Sequence, residues 1–250
     1  MPKTLSIIIC AYNEAETIRN VIDRVHAVDL GGWQREVIVV DNCSTDGTRE
    51  ILQQVDLPHT TIVYQPRNMG KGTSIRTAIE HLTGNYAVIQ DADLEYDPQD
   101  IRLLLERAEE GALAVFGSRT LGGQAVYKYA HAYWGVRLIT TVMNLLFGGN
   151  LTDAATATKM VRSDVLKSLN LVGRSFDLDF ELPDKLLLAG IDIEEVPISY
   201  NPRTYAEGKK IKPRDGLEAF RVMLRDRLGL SRVWKDSEQI PSLHPTPIKD

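Results

Sequence analysis

From Leu5 to Phe116, short β-branched apolar runs alternate with stretches whose apolar residues recur at helical spacing. The runs are Leu5–Cys10, Val37–Val40, Thr61–Tyr64, Tyr86–Gln90 and Ala112–Phe116. Between the first two, Ile18, Val21, Ile22 and Val25 repeat on one face of a helix expected within Glu14–Ala27. Ser44-Thr45-Asp46-Gly47 opens a second helix carrying Ile51, Leu52 and Val55, with Ser44 or Thr45 as its N-cap. Further helices are expected over Thr73–His81 and Asp97–Glu109. Strands separated by helices of about 10–15 residues make βαβ units and a mostly parallel α/β sheet flanked by helices. Ligands of such sheets sit beyond the carboxyl ends of the strands. Asn13, Glu14, Asp41, Asn42, Asp91, Asp93 and Arg119 all fall at those ends.

The second half is patterned differently. Ala130–Phe147 reads as a long apolar-rich helix broken by Gly148-Gly149, and Val165–Leu171 and Phe176–Ala189 read as helices, with Pro183 marking a bend or a helix start. Glu195–Tyr200 is a short strand whose proline suggests an edge. A basic loop from Arg203 to Arg214 leads to a final amphipathic helix, Leu217–Leu228. The expected organisation is one domain over 1–232, with a nucleotide-binding half (1–120) and an acceptor-binding half (121–232), then a loosely packed tail over 233–250.

Composition narrows the function classes. A net charge of -5 and a pI near 5.6 argue against nucleic acid as a bulk partner, because phosphate-backbone binding needs a basic face. Cys10 and Cys43 read as small core residues outside any zinc-type cluster, so a reducing, cytoplasmic setting is expected. Signal-peptide layout and any apolar stretch of about 18 residues are both missing, so the chain is expected to be soluble or at most peripheral.

The sharpest chemical feature is Gln90-Asp91-Ala92-Asp93-Leu94-Glu95. Asp91 and Asp93, one residue apart at a strand exit, can turn toward one cation, and Glu95 adds a third oxygen on the same side. Hard ions such as Mg²⁺ or Mn²⁺ take carboxylates and phosphate oxygens together, and would neutralise a diphosphate leaving group. Asp41 can accept hydrogen bonds from a base or ribose, or cap a turn. Asn68-Met69-Gly70-Lys71-Gly72 places glycines around a lysine before a helix, which suits either an anion or a plain turn.

Taken in order, Leu5–Glu16 (LSIIICAYNEAE), Val37–Thr48 (VIVVDNCSTDGT), Asn68–Ala78 (NMGKGTSIRTA) and Gln90–Pro98 (QDADLEYDP) resemble family 2 glycosyltransferases. Gly117-Ser118-Arg119 and Pro197–Lys210 (PISYNPRTYAEGKK) are similar to the dolichyl- and polyprenyl-phosphate mannosyl- and glucosyltransferase branch. The resemblance covers residues 4–228. It implies a GT-A fold, a nucleoside-diphosphate-sugar donor (UDP- or GDP-linked), Mg²⁺ or Mn²⁺, and inversion at the anomeric carbon. It places Asp91, Asp93 and Glu95 at the metal and diphosphate, Asp41 with Tyr12 and Glu14 at the nucleoside, and Arg119, Arg203 and Lys209 at donor or acceptor phosphates. The chain departs from the family pattern at Asn42, where a second acid is usual and base or ribose recognition is affected. It departs again at Ala155 in place of a glutamate, and at Leu178-Asp179-Phe180, with Glu181 retained. These last changes fall where the acceptor should bind.

A lipid monophosphate acceptor is already ionised near neutral pH and needs little base. A hydroxyl acceptor requires one, for which Asp153 and Asp179 are the candidates; their other reading is a helix cap and an ion-pair partner. The apolar stretch Tyr133–Phe147 either packs on the sheet or lies at a membrane surface. Peripheral membrane contact and a homo-oligomer stay open, as do two rival classes: sugar-phosphate nucleotidyl transfer and a binding protein without turnover.

Overall fold

The computed structural model describes residues 3–123, 130–203, 213–235 and 241–243. In chain order its elements are β1 (Thr4–Ala11), α1 (Ile18–His26), β2 (Gln34–Asp41), α2 (Thr48–Gln53), β3 (Thr60–Tyr64), α3 (Lys71–Glu80), β4 (Tyr86–Asp91) and α4 (Ile101–Glu109). There follow β5 (Ala114–Ser118), α5 (Ala130–Phe147), β6 (Lys159–Arg162), α6 (Ser163–Ser168), α7 (Leu178–Leu188), β7 (Ile193–Pro197) and α8 (Pro213–Arg227). The strands form one sheet in the order β3-β2-β1-β4-β6-β5-β7. Every pairing is parallel except those of β6, which runs against both β4 and β5.

Strand alternation divides the core. Leu5, Ile7, Ile9, Val37 and Val39 face the layer made by α1 and α4, while Ile8, Ile38, Val40 and Ile89 face α3, α6 and α7. Each fully buried aliphatic contributes about 1.5–3 kcal/mol. A one-residue register slip would exchange the two faces, so the pairing Cys10↔Asp91 and Ala11↔Asp41 is firmly set. A third apolar cluster, with Ile139, Met143, Phe180, Val222 and Met223, joins α5, α7 and α8. The long apolar segment of the second half is therefore a packed helix along part of its surface. Among the described residues no helix is long and apolar enough to cross a membrane.

Four local readings are corrected. The N-cap of α2 is Gly47 at φ 103°, not Ser44 or Thr45; Asp46 supplies the capping oxygen to the Thr48 amide at 3.0 Å. The Ser44 hydroxyl instead accepts from the Asn13 amide at 3.0 Å. β6 has no apolar run to announce it, since it begins with Lys159 and ends with Arg162. In the segment expected as a tail, Val233, Trp234 and Leu243 pack against the second core cluster, and the backbone bridges Leu169 to Trp234. Pro183 does not start a helix but lies inside α7. It has no N–H for the Asp179 carbonyl one turn earlier. The Lys159 ammonium donates to that carbonyl at 2.7 Å, and to the Thr156 carbonyl at 2.6 Å.

Because α7 is enclosed by the sheet side and by α8, even its polar residues are buried. Asp184 is 0% exposed and neither carboxyl oxygen has a hydrogen-bond partner. Burial, and then Asp226 on α8, push its pKa from 3.8 to about 9; Arg225 and Lys159 oppose the shift and Glu181 adds to it. Asp184 is thus protonated in the fold and ionised in the unfolded chain across that window. Its contribution is complete below the lower value and is lost as pH rises toward the upper one, at up to ~1.4 kcal/mol per pH unit. Asp184→Asn, neutral at every pH, is expected to remove most of this slope and to be more stable than the wild type near pH 8. Urea unfolding at acid and alkaline pH checks it; an unchanged slope would mean that Asp184 is ionised in the fold.

Candidate functional site

The sheet order reverses direction at β1: the chain passes from β1 outward to β2 and β3, then returns to β4 on the other side. A crevice opens at such a switch point. Here it is a cleft of about 320 Å³ at the carboxyl ends of β1, β2, β4 and β5. Its wall brings together Tyr12, Glu14, Asn42, Lys71, Asp91, Asp93, Glu95, Arg119, Asp179 and Arg203, all singled out from sequence.

The turn after β4 sets the carboxylates. Leu94 takes φ 60°, a left-handed conformation uncommon for a leucine, and Asp93 accepts from the Glu95 amide at 3.1 Å. The reversal turns the Glu95 carboxylate toward the segment after β7 while leaving it beside Asp93 in the cleft wall. Its carboxylate accepts from the Tyr200 hydroxyl at 2.8 Å and from the Arg203 amide at 3.0 Å, so it anchors the segment after β7. Asp91 and Asp93 remain at the cleft. Burial first, then the charge of Asp91, lift the Asp93 carboxyl from 3.8 to about 7. Among the described residues no group of three carboxylate, cysteine or histidine side chains is arranged to hold an ion, and the Glu95 oxygens are taken by Tyr200 and Arg203. The two aspartates alone still fit a hard divalent ion, which takes one or two carboxylates and fills its remaining positions with water and phosphate oxygens.

Two cations meet this pair. Lys71 lies 2.9 Å from Asp91 and 3.3 Å from Asp179. Burial works against its charge, but Asp179 and Asp91 outweigh it and hold the ammonium well above its ordinary pKa. The Arg203 guanidinium reaches Glu14 at 3.0 and 3.2 Å, Asp93 at 2.7 Å and Glu95 at 3.5 Å. Arg119 stacks on the Tyr200 ring at 5.1 Å.

The glycines around Lys71 serve backbone approach. A Cβ at Gly70 would sit 2.2 Å from the Arg174 carbonyl oxygen, and one at Gly72 would meet Gly173, Arg174 and Ser175 within 3 Å. The Gly72 and Thr73 amides donate to the Ser175 and Arg174 carbonyls, both at 3.1 Å. The Gly72 and Thr73 amides at the start of α3 are therefore engaged by protein, and Lys71 carries positive charge from this loop into the cleft. The opposing segment contributes Ser175 and Phe176 to the wall.

Three sequence candidates lie outside the wall, the first being Asn13, which accepts from the Thr45 amide at 2.9 Å. Asp41 is 0% exposed; it accepts from Arg49 at 2.6 Å and from the Ser44 amide at 3.0 Å. The neighbouring Asn42 lines the cleft, where it donates to Asn68 at 3.0 Å and accepts from the Met69 amide at 2.7 Å. Asp153 is also 0% exposed and grips Arg119 through both oxygens at 2.6 and 2.7 Å. Asp179 does face the cleft, with Oδ2 toward Lys71 and Oδ1 without a hydrogen-bond partner. Lys209 falls outside the described residues. Cys10, half-buried on the cleft wall, is a thiol whose pKa burial pushes to about 12, and Cys43 is likewise unpaired with another cysteine.

Sequence reasoning missed Tyr96, Tyr200, Asn68 and Phe176 as wall residues. Tyr200 stands three residues before Arg203 in the PISYNPR stretch, and Asn68 opens the Gly-Lys-Gly loop, so both lay inside motifs already noted. Tyr96 follows Glu95 inside the QDADLEYDP stretch, and Phe176 carries no local signal.

Residues 6–169 match the profile of glycosyl transferase family 2. Among similar proteins, glycosyltransferase AglJ of Haloferax volcanii is 28% identical over 226 residues, covering 90% of this chain and 72% of its own length. The low-salt glycan biosynthesis hexosyltransferase Agl6 of the same organism is 30% identical, covering 88% of this chain and 53% of that protein. The undecaprenyl-phosphate 4-deoxy-4-formamido-L-arabinose transferase of Edwardsiella ictaluri is 29% identical over 169 residues, covering 66% and 51%. The chain thus spans about half the length of the last two. In solved structures, the fold is similar to that of glucosyl-3-phosphoglycerate synthase from Mycobacterium tuberculosis with Mn²⁺, UDP and phosphoglyceric acid. The TM-score is 0.68 at 21% identity, over 94% of this chain and 80% of that one. The same synthase with Mg²⁺ and UDP gives 0.68 at 21% identity, over 94% and 81%.

Proposed function

Because the chain belongs to glycosyltransferase family 2, we propose that it moves a hexose, with inversion, from a UDP- or GDP-linked donor to a polyprenyl phosphate. The observation that carries this is the meeting of Asp91 and Asp93 with Lys71 and Arg203 at the switch-point cleft. A diphosphate with a hard divalent ion suits that mixture of charges. Asp91 and Asp93 would hold Mg²⁺ or Mn²⁺, which supplies positive charge to the leaving diphosphate. Tyr12, Glu14 and Asn42 flank the nucleoside, with Asp41 acting from behind by fixing Arg49 and the turn at Ser44. Lys71, Arg119 and Arg203 hold phosphate oxygens.

In this reading an ionised oxygen of the acceptor phosphate attacks the anomeric carbon while the bond from that carbon to the donor diphosphate breaks. No proton has to be removed, which agrees with both oxygens of Asp153 being engaged by Arg119. The acceptor would be presented at a membrane surface on the cytoplasmic side. Trp134, Leu138 and Leu145 are 57–80% exposed on α5, Leu217 and Leu224 are 73% and 57% exposed on α8, and Leu228, just past α8, is 63% exposed. Asp179 favours a second reading, a soluble hydroxyl acceptor, because it lines the cleft and its buried Oδ1, 4.0 Å from the Lys159 ammonium, accepts no hydrogen bond.

A panel of UDP-, GDP- and dTDP-sugars offered with a polyprenyl phosphate in detergent tests the proposal. Release of nucleoside diphosphate and formation of a glycolipid are expected from one donor. Product on a water-soluble alcohol instead would select the second reading, and release of pyrophosphate when a nucleoside triphosphate is offered with a sugar 1-phosphate would replace both with nucleotidyl transfer.

A further inference from the structure

Arg203 occupies the carboxylate oxygens that a divalent ion would need. Its guanidinium spans Glu14, Asp93 and Glu95, three acids from two strand ends, while its own amide is fixed to Glu95. Its side chain is 18% exposed and that of Asp93 is 17% exposed, so the pair is shielded but open to the cleft. Lys71 reaches Asp91 and Asp179, and not Asp93, so among the described residues Arg203 is the cation that meets Asp93. Asp93 cannot give its Oδ2 both to a guanidinium at 2.7 Å and to a metal ion without one displacing the other.

Resting on the metal-dependent reading above, we infer that Arg203 is a built-in competitor for the metal, and that a nucleoside diphosphate loads the metal by drawing Arg203 off Asp93. A diphosphate offers Arg203 anionic oxygens in the fork geometry that a guanidinium matches, so the arginine changes anions without leaving the cleft. Asp93 is then released to the ion at the moment the ligand needing that ion arrives. The consequence is reciprocal coupling: nucleotide tightens metal binding, metal tightens nucleotide binding, and part of the coupling passes through this one side chain. The order of events protects the site from holding an ion without a donor.

The test is Mn²⁺ binding, read by the electron paramagnetic resonance signal of free Mn²⁺, on wild type, Arg203→Gln and Arg203→Lys, with and without UDP or GDP. Without nucleotide, Arg203→Gln is expected to bind Mn²⁺ on the order of tenfold more tightly than wild type. With the nucleotide that binds, the advantage disappears or reverses, because the variant has lost a phosphate contact. Arg203→Lys keeps a cation but cannot fork across three acids, and falls between the two. Melting curves establish that each variant is folded, and the lysine variant carries the comparison if the glutamine variant is not. Arg203→Gln binding free Mn²⁺ no better than wild type would overturn the inference and leave the proposed transfer standing. Failure of all three proteins to bind Mn²⁺ with any nucleotide would sink the metal site and the inference together.

Discussion

Asp93→Ala is expected to lower glycosyl transfer by at least ~10³-fold, about 4 kcal/mol of transition-state stabilisation. Nucleoside diphosphate should still contact Lys71 and Arg119, yet lose the metal-dependent part of its thermal stabilisation. The effect should be specific to function. In the free protein Asp93 is buried beside Asp91 and Glu95, whose charges push its pKa upward, so its removal relieves repulsion even as Arg203 loses a partner. The melting temperature without ligand is therefore expected to stay within a few degrees of the wild type, the pattern of a residue retained for activity at the expense of stability. Transfer assays and melting curves with UDP or GDP, each with and without Mn²⁺, check both halves. Retention of a tenth of the activity would remove Asp93 from the site's chemistry and return the carboxylate pair to a solvated turn.

The parts of the molecule that could be read in advance share a physical reason. Parallel strands buried on both faces must be near-continuous apolar runs, so β1, β2 and β4 stand out, and chemistry at such a sheet gathers where those runs stop. That rule alone put Glu14, Asn42, Asp91, Asp93 and Arg119 at one end, and the structure brings them into one cleft wall. It could not say which way each side chain turns. Asp41 and Asn42 are adjacent, and strand alternation sends the first inward to Arg49 and leaves the second in the cleft. Glu95 has the same spacing from Asp93 that Asp93 has from Asp91, but the left-handed Leu94 redirects it toward Tyr200 and Arg203. β6 stayed hidden because a short central antiparallel strand needs only four residues, and its buried Lys159 looked like a surface lysine. Its purpose depends on Pro183, twenty-four positions away in sequence and adjacent only in space.

Asp153 gives the sharpest separation of structural from catalytic roles. Its carboxylate accepts from the Arg119 amide at 3.1 Å and from two guanidinium nitrogens, and its own amide is fixed by Glu195 at 3.0 Å. Arg119 is 7% exposed, and Asp153 binds its backbone amide and two nitrogens of its guanidinium. Removing one member of a buried ion pair costs about 3–5 kcal/mol. Asp153→Asn is thus expected to lower the melting temperature by roughly 10 °C. Adding Arg119→Met should recover part of that loss, giving a coupling of about 2 kcal/mol in urea unfolding. Activity should not return with stability, because Arg119 faces the cleft and the double variant lacks the cation proposed to hold phosphate there. A general base would behave in the opposite way. Asp153→Asn would then keep wild-type stability and donor binding while losing turnover only toward hydroxyl acceptors. The two outcomes differ in the melting curve before any substrate is added, because a fully buried carboxylate with both oxygens bound to one arginine must release that arginine before it can accept a proton.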